Sequence, residues 1–349
     1  MLFSSSSSSS SSEDEEIFVR RRKLYRQRRP CFDMYDDLEF FDRFRLTKNT
    51  VENLLQQIEG MIALPTNRGG CIKPMNQLLL TLRFYATGNM LIAVGDFMGV
   101  SKSSACRIVN RVSYAIASLR PRYIKMYENI AEMENMVEKF YRIARFPKCI
   151  GAIDCTLIKT DSVGGDDAEI FRCRKGYFAL NVQTVSDADL RIRDIVLQHD
   201  QTIFNNSALK QDLENNRYGQ YLLIGDSGYT VKAYLMTKLQ TVETLAENLY
   251  NESIIRTRNV VERQYGVWKR RFMILRLGMR LKLDTIRAVI VATAVLHNLA
   301  IDMGEEIPND WLDDLADENI AEPENRNVEN NDGRQIKNLL IHEHFSRLN

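Results

Sequence analysis

The chain has 349 residues, of which 44 % are hydrophobic and 27 % charged. It is ordinary globular material, long enough to bury a substantial core in one large domain or two medium ones. The longest apolar runs, such as Leu78 to Leu82 and Val289 to Leu296, fall well short of a membrane span, so neither a transmembrane helix nor a membrane partner is expected.

Six cysteines (Cys31, Cys71, Cys106, Cys149, Cys155 and Cys173) lie scattered without a Cys-x-x-Cys pair, and no histidine is near them in sequence. A zinc site or disulfide framework is therefore not expected, and a reducing compartment, cytosol or nucleus, fits best. The net charge of +1 averages opposed segments: residues 302–332 carry twelve acidic residues against one base, Arg326, whereas residues 30–301 carry a net +7. The folded part is thus basic, which suits a polyanionic partner.

Nine serines, residues 4–12, precede Glu13, Asp14, Glu15 and Glu16. Such a composition cannot bury enough surface to fold, so residues 1–36 are expected to be a disordered head. The run Arg20 to Arg29 within it suits a nuclear import signal or a DNA-backbone arm, or else a solvated charge cluster. From Asp37 onward, the spacing of Leu38, Phe41, Phe44, Val51, Leu54, Leu55, Ile58 and Ile62 predicts short helices, with Thr47, Asn49 or Thr50 as caps. These open an all-α domain over residues 37–147.

Within that domain Asn76 to Thr87 reads as a helix. Met90 to Leu119 reads as a helix, a turn around Gly99 and a second helix capped by Ser101, the layout of a helix-turn-helix. On the second helix Ile108, Val112, Ile116 and Leu119 share a buried stripe. Lys102, Ser103, Arg107, Asn110 and Arg111 fall on other faces, with side chains equipped to reach base edges. A packed helical hairpin without DNA is the alternative.

After Pro147 the character changes, and residues 148–301 are expected to form an α/β domain. Cys149 to Ile158 is a β-rich run with Asp154 in its middle. Tyr177 to Ser186 and Leu190 to Leu197 are two more such runs, joined by the hairpin signal Asp187-Ala188-Asp189. A helical segment, Thr202 to Glu214, precedes the apolar strand Tyr221 to Tyr229, which ends on Gly225-Asp226. Ile254 to Phe272 then reads as a helix whose Val261, Tyr265, Trp268 and Phe272, continued by Leu275, form one buried stripe. Residues 302–349 are left as an acidic tail.

Asp154, Asp226 and Glu262 stand out. A charged residue inside an apolar strand needs a partner, Asp226 ends a strand where ligand sites collect, and Glu262 sits among Arg256, Arg258, Arg263, Lys269, Arg270 and Arg271. Each has a plainer reading: turn formation for the aspartates, and an ion pair with Arg258, four residues earlier, for Glu262. Together, three such carboxylates can hold Mg²⁺ or Mn²⁺, and two ions can drive in-line phosphoryl transfer on nucleic acid.

Six ordered segments carry a resemblance: Gly151 to Ile158, Arg174 to Asp187, His199 to Leu209, Leu222 to Tyr229, Arg258 to Phe272 and Ala294 to Ala300. Over residues 38–301 the chain resembles the Harbinger superfamily of DDE transposases. The resemblance implies an RNase H-like mixed-sheet catalytic core, a divalent metal cation (Mg²⁺ or Mn²⁺) and an N-terminal helix-turn-helix that binds DNA. It assigns Asp154, Asp226 and Glu262 to the catalytic acidic triad and adds Asp200 as a fourth metal ligand, although Asp200 could instead cap the Thr202 helix. DNA backbone contacts are expected from Arg174, Lys175, Arg263, Lys269 and Arg271. His297 and Asn298 are expected to be satisfied core groups.

One departure matters. Ile195 to Gln198 runs straight into His199, where the family carries a Trp-Pro-Gly-Ser type turn, and this would move Asp200. The expected function is a metal-dependent DNA nuclease of the transposase-derived type, located in the nucleus and also possible in the cytoplasm. The alternative is a catalytically silent DNA-binding protein. The resemblance further suggests a Myb-like DNA-binding partner protein, and the acidic tail could dock on a partner or on the chain's own basic surface.

Overall fold

A computed structural model describes residues 28–65, 71–161, 168–173, 175–198, 204, 207–309, 311 and 330–348. The helices begin with α1 (Cys31–Met34), α2 (Asp37–Phe44), α3 (Lys48–Ile62), α4 (Pro74–Thr87), α5 (Leu91–Met98), α6 (Lys102–Ala117), α7 (Arg120–Tyr123) and α8 (Ile130–Ala144). The strands are β1 (Cys149–Lys159), β2 (Ala179–Ser186), β3 (Ile192–Gln198), β4 (Leu222–Ile224) and β5 (Leu235–Met236). Between β3 and β4 lies α9 (Ala208–Glu214), and after β5 come α10 (Leu245–Arg271), α11 (Ile274–Leu277) and α12 (Leu283–Asp302).

The caps explain where the helices start. Thr47 accepts from the Thr50 amide, Ser101 from that of Ser104 and Ser207 from that of Lys210. Gly99 ends α5 at φ +69°, a left-handed conformation that glycine adopts at little cost. Of the residues whose spacing predicted α2, Phe44 is buried in the core with Phe40, whereas Leu38 is 73 % exposed.

The five strands form one mixed sheet of order β3-β2-β1-β4-β5. β1 pairs antiparallel with β2 and parallel with β4; β2 and β3 form the expected hairpin. The Asp187 carboxylate locks its turn, accepting from the amides of Asp189 and Arg191 and pairing with Arg193 at 2.7 Å. This is the expected mixed α/β arrangement. Not legible in advance were β5, only two residues long, the first nine residues of α10, which opens at a capping box of Thr244 and Glu247, and the helix Asn331–Leu339. Nor was α1, which with buried Cys31 and Tyr35 corrects the end of the expected disordered head: residues 28–36 pack on the helical domain.

Two hydrophobic clusters cover the sheet's faces. One joins α2 to α6 with α12, Val261, Tyr265, Trp268 and Phe272 of α10, and Ala152, Ile158, Leu180 and Val182 of the sheet. The other joins α8, the first part of α10, β4 and β5, and the C-terminal segment around Phe345. The boundary at residue 147 therefore does not separate two cores. By length and composition α12 is apolar enough to cross a membrane, but 78 % of its most apolar window is buried inside the protein. It packs chiefly on α6 as a core helix. Asn298 on it bonds the Ile192 amide and the carbonyls of Ile192 and Tyr123.

Candidate active site

Alternation along β1 puts Ala152, Asp154, Thr156 and Ile158 on the face that α10 covers. Asp154 itself is 5 % exposed and stands opposite Thr184 of β2. On its other side β4 runs parallel, with Ala152 beside Ile224. β4 ends at Ile224, and Asp226 follows two residues later, close enough for its charge to act on Asp154. Gly225 precedes Asp226, and a Cβ there would meet the Tyr229 ring at 2.9 Å, so the close approach requires glycine.

Helix α10 is pinned over this point. The Tyr265 hydroxyl donates to the Asp154 carbonyl at 2.6 Å, and Thr184 Oγ1 lies 3.0 Å from both Tyr265 Oη and Gln264 Oε1. That pin carries Arg258 and Glu262, one turn apart, to the carboxylates. Arg258 Nη1 reaches Asp154 Oδ2 at 3.1 Å, and Arg258 Nη2 reaches Glu262 Oε1 at 2.8 Å. The remaining Asp154 oxygen accepts from the Cys155 amide at 2.7 Å.

Burial, then the charge of Asp226, pushes the Asp154 carboxyl up to about 7; the Arg258 guanidinium and the Cys155 amide pull it down, and Glu262 adds a smaller upward push. Asp154, Asp226 and Glu262 thus share one electrostatic neighbourhood. Among the described residues no group of three His, Cys, Asp or Glu side chains is gathered tightly enough to hold a metal ion. The donor chemistry nevertheless fits a cation: a buried carboxylate, Asp154, feels the charge of two partly exposed ones, Asp154 and Glu262 already share a positive group, and hard oxygens suit Mg²⁺ or Mn²⁺.

The expected nucleic-acid contacts divide. Lys102, Ser103, Arg107, Lys175 and Arg263 are exposed, and Arg111 is half-buried. Asn110 also reaches the surface, but its amide donates to Thr285 Oγ1 at 2.8 Å, tying α6 to α12. Lys269 and Arg271 must be corrected: they are 7 % and 1 % exposed, and Arg271 pairs with Glu305 at 2.6 Å. The end of α10 lies between the sheet and the helical layer, so neither side chain can meet a DNA strand. Arg174 and Asp200 lie outside the described residues, as does the start of the Thr202 helix. Local spacing shows Arg258 only as the residue four before Glu262; its contact with Asp154 is a tertiary one that no local pattern carries.

Residues 153–298 match the family described as "DDE superfamily endonuclease". The chain is 27 % identical over 305 residues to "Putative nuclease HARBI1" of Bos taurus and 26 % over 305 residues to its Homo sapiens counterpart, in each case covering 84 % of this chain and 86 % of the relative. It is 22 % identical over 302 residues to "Protein ALP1-like" of Arabidopsis thaliana, covering 79 % of this chain and 73 % of that protein. No solved structure matches significantly. Residues 153–298 thus resemble the DDE superfamily endonucleases, and the chain is similar along most of its length to Harbinger transposase-derived nucleases.

Proposed function

We propose that the chain is a metal-dependent DNA nuclease of the transposase-derived type, hydrolysing phosphodiester bonds by a two-metal mechanism. One observation carries the reading: Asp154 on β1, which feels the charge of Asp226 just beyond β4, is joined to Glu262 of α10 through Arg258. The superfamily is RNase H-like, and the mixed sheet with a carboxylate on its central strand agrees with that.

In this reading Asp154, Asp226 and Glu262 hold the divalent cations, with Asp200 as a fourth ligand. Such ions, when bound, activate a water and stabilise the leaving oxygen. The chain's own contribution is positional. Tyr265 and Thr184 hold α10 against β1, so that Glu262 stays over the strand ends. Arg263, Arg174 and Lys175 supply positive charge for the phosphates around the site, and Lys102, Ser103, Arg107, Asn110 and Arg111 of a helix-turn-helix formed by α5 and α6 contact DNA further away. The basic run Arg20 to Arg29 supports a nuclear location, and the family resemblance supports a Myb-like partner.

The test is cleavage of supercoiled DNA with Mg²⁺ or Mn²⁺. Wild type nicks the plasmid, whereas Asp154→Ala, Asp226→Ala and Glu262→Ala lower the rate at least about 100-fold, as loss of charge stabilisation at the transition state does, and keep DNA binding. A wild type as inert as the variants, yet binding DNA, would establish the silent DNA-binding protein instead.

A further inference from the structure

The guanidinium of Arg258 lies between two of the three carboxylates, with one nitrogen on each. Arginine suits that place because its rigid fork presents separate N–H groups to separate acceptors, which a lysine ammonium cannot do as well. Asp154 is enclosed by β1, β2 and α10 and feels the charge of Asp226, so without a positive group its ionised form would meet like charge in a poorly solvated setting.

We propose that Arg258 is the built-in counter-cation of this site and competes with the divalent cation for Asp154 and Glu262. The inference rests on the metal-dependent reading above. An oxygen engaged by a guanidinium N–H is withdrawn from a metal's coordination shell, and two positive centres on the same pair of carboxylates repel. The backbone of α10 is held on both sides of Arg258, where Ser253 Oγ donates to the Ala144 carbonyl at 2.6 Å and Tyr265 holds β1. The side chain can yield: it is 21 % exposed, and its neighbour Asn259 faces solvent. Binding of the metal therefore displaces the Arg258 side chain, and the apparent affinity for metal is lowered by the fraction of molecules in which the guanidinium is in place.

The experiment is Mn²⁺ binding to the full chain without DNA, read from the electron paramagnetic resonance of the free ion, for wild type, Arg258→Gln, Arg258→Lys and Asp154→Asn. Arg258→Gln should bind Mn²⁺ about ten-fold tighter, the ratio expected if about one wild-type molecule in ten has the arginine displaced. Arg258→Lys should fall between, and Asp154→Asn should remove the binding. In the wild type the Arg258 Nε–H resonance should shift on titration with diamagnetic Mg²⁺, which keeps the proposal testable if Arg258→Gln does not fold. Equal or weaker Mn²⁺ binding by Arg258→Gln, with binding still dependent on Asp154, overturns the competition and leaves the nuclease reading standing; so does an Nε–H resonance unmoved by saturating Mg²⁺. Absence of Asp154-dependent binding in every form overturns both.

Discussion

His297 shows how far a single residue could be read in advance. An isolated histidine and asparagine in an apolar helix suggested satisfied core groups; Asn298 does bond both polar groups of Ile192, but His297 is only half satisfied, its Nε2 2.8 Å from the Leu190 carbonyl and its buried Nδ1 without a partner among the described residues. Burial pushes the imidazole down to about 3, below its ordinary 6.5. The fold thus favours the neutral ring, and this contribution is present above about pH 6.5 and is lost as pH falls toward 3. Between pH 6.5 and 4.5 it amounts to roughly 2 to 3 kcal/mol. Urea unfolding across that range should show a steep acid loss in wild type and a shallower one in His297→Gln; parallel curves would show that the ring does not need to stay neutral. Arg258 was half legible by comparison. Its spacing revealed Glu262, but its second partner, Asp154, is 104 residues away, and no local pattern encodes that contact.

At the scale of elements, strands β1 to β4 and the Gly99 turn were legible because alternation, capping and glycine act locally. The 27 residues of α10 were less so. A basic helix end looks like a phosphate-binding face, yet Arg271 is enclosed, bonding the Arg45 carbonyl at 3.0 Å and Glu305 at 2.6 Å. The partner lies 34 residues downstream, in the acidic tail. Two substitutions separate the buried base from the exposed one. Arg271→Ala should cost about 3 to 5 kcal/mol, since it leaves Glu305 buried and unpaired, and should leave the salt dependence of DNA binding unchanged. Arg107→Ala, on the exposed face of α6, should alter stability by no more than about 0.5 kcal/mol and lower the salt slope by about 1. Denaturant melts and DNA titrations at several salt concentrations read both. A reversed pattern would return Arg271 to the DNA surface and remove Arg107 from it.

At the scale of the molecule, the tail expected to dock on a partner or on the chain's own surface has its described parts on the protein itself. Trp311 stacks on Phe41 at 6.3 Å and lies near the guanidinium groups of Arg45 and Arg271. After the intervening acidic stretch, the Asn330 amide donates to the Val231 carbonyl, the helix Asn331–Leu339 follows, and Phe345 packs on Phe146 and Tyr250 at 5.9 and 5.5 Å. His344 Nε2 lies 2.9 Å from the Arg145 carbonyl. These two anchorages touch different residues, so their energies should add. Ending the chain at Glu329 bares Phe146 and Tyr250 and removes the buried Phe345, worth about 3 to 5 kcal/mol by the usual cost of deleting a core phenylalanine. Ending it at Met303 also removes Glu305 and leaves Arg271 as an unpaired buried charge, a further cost of about 3 to 5 kcal/mol. Urea unfolding should therefore rank the full chain above the chain ending at Glu329, and that above the chain ending at Met303, in two steps of similar size. If the first truncation leaves the midpoint unchanged, the C-terminal segment does not brace the fold, and the acidic tail is free for another partner.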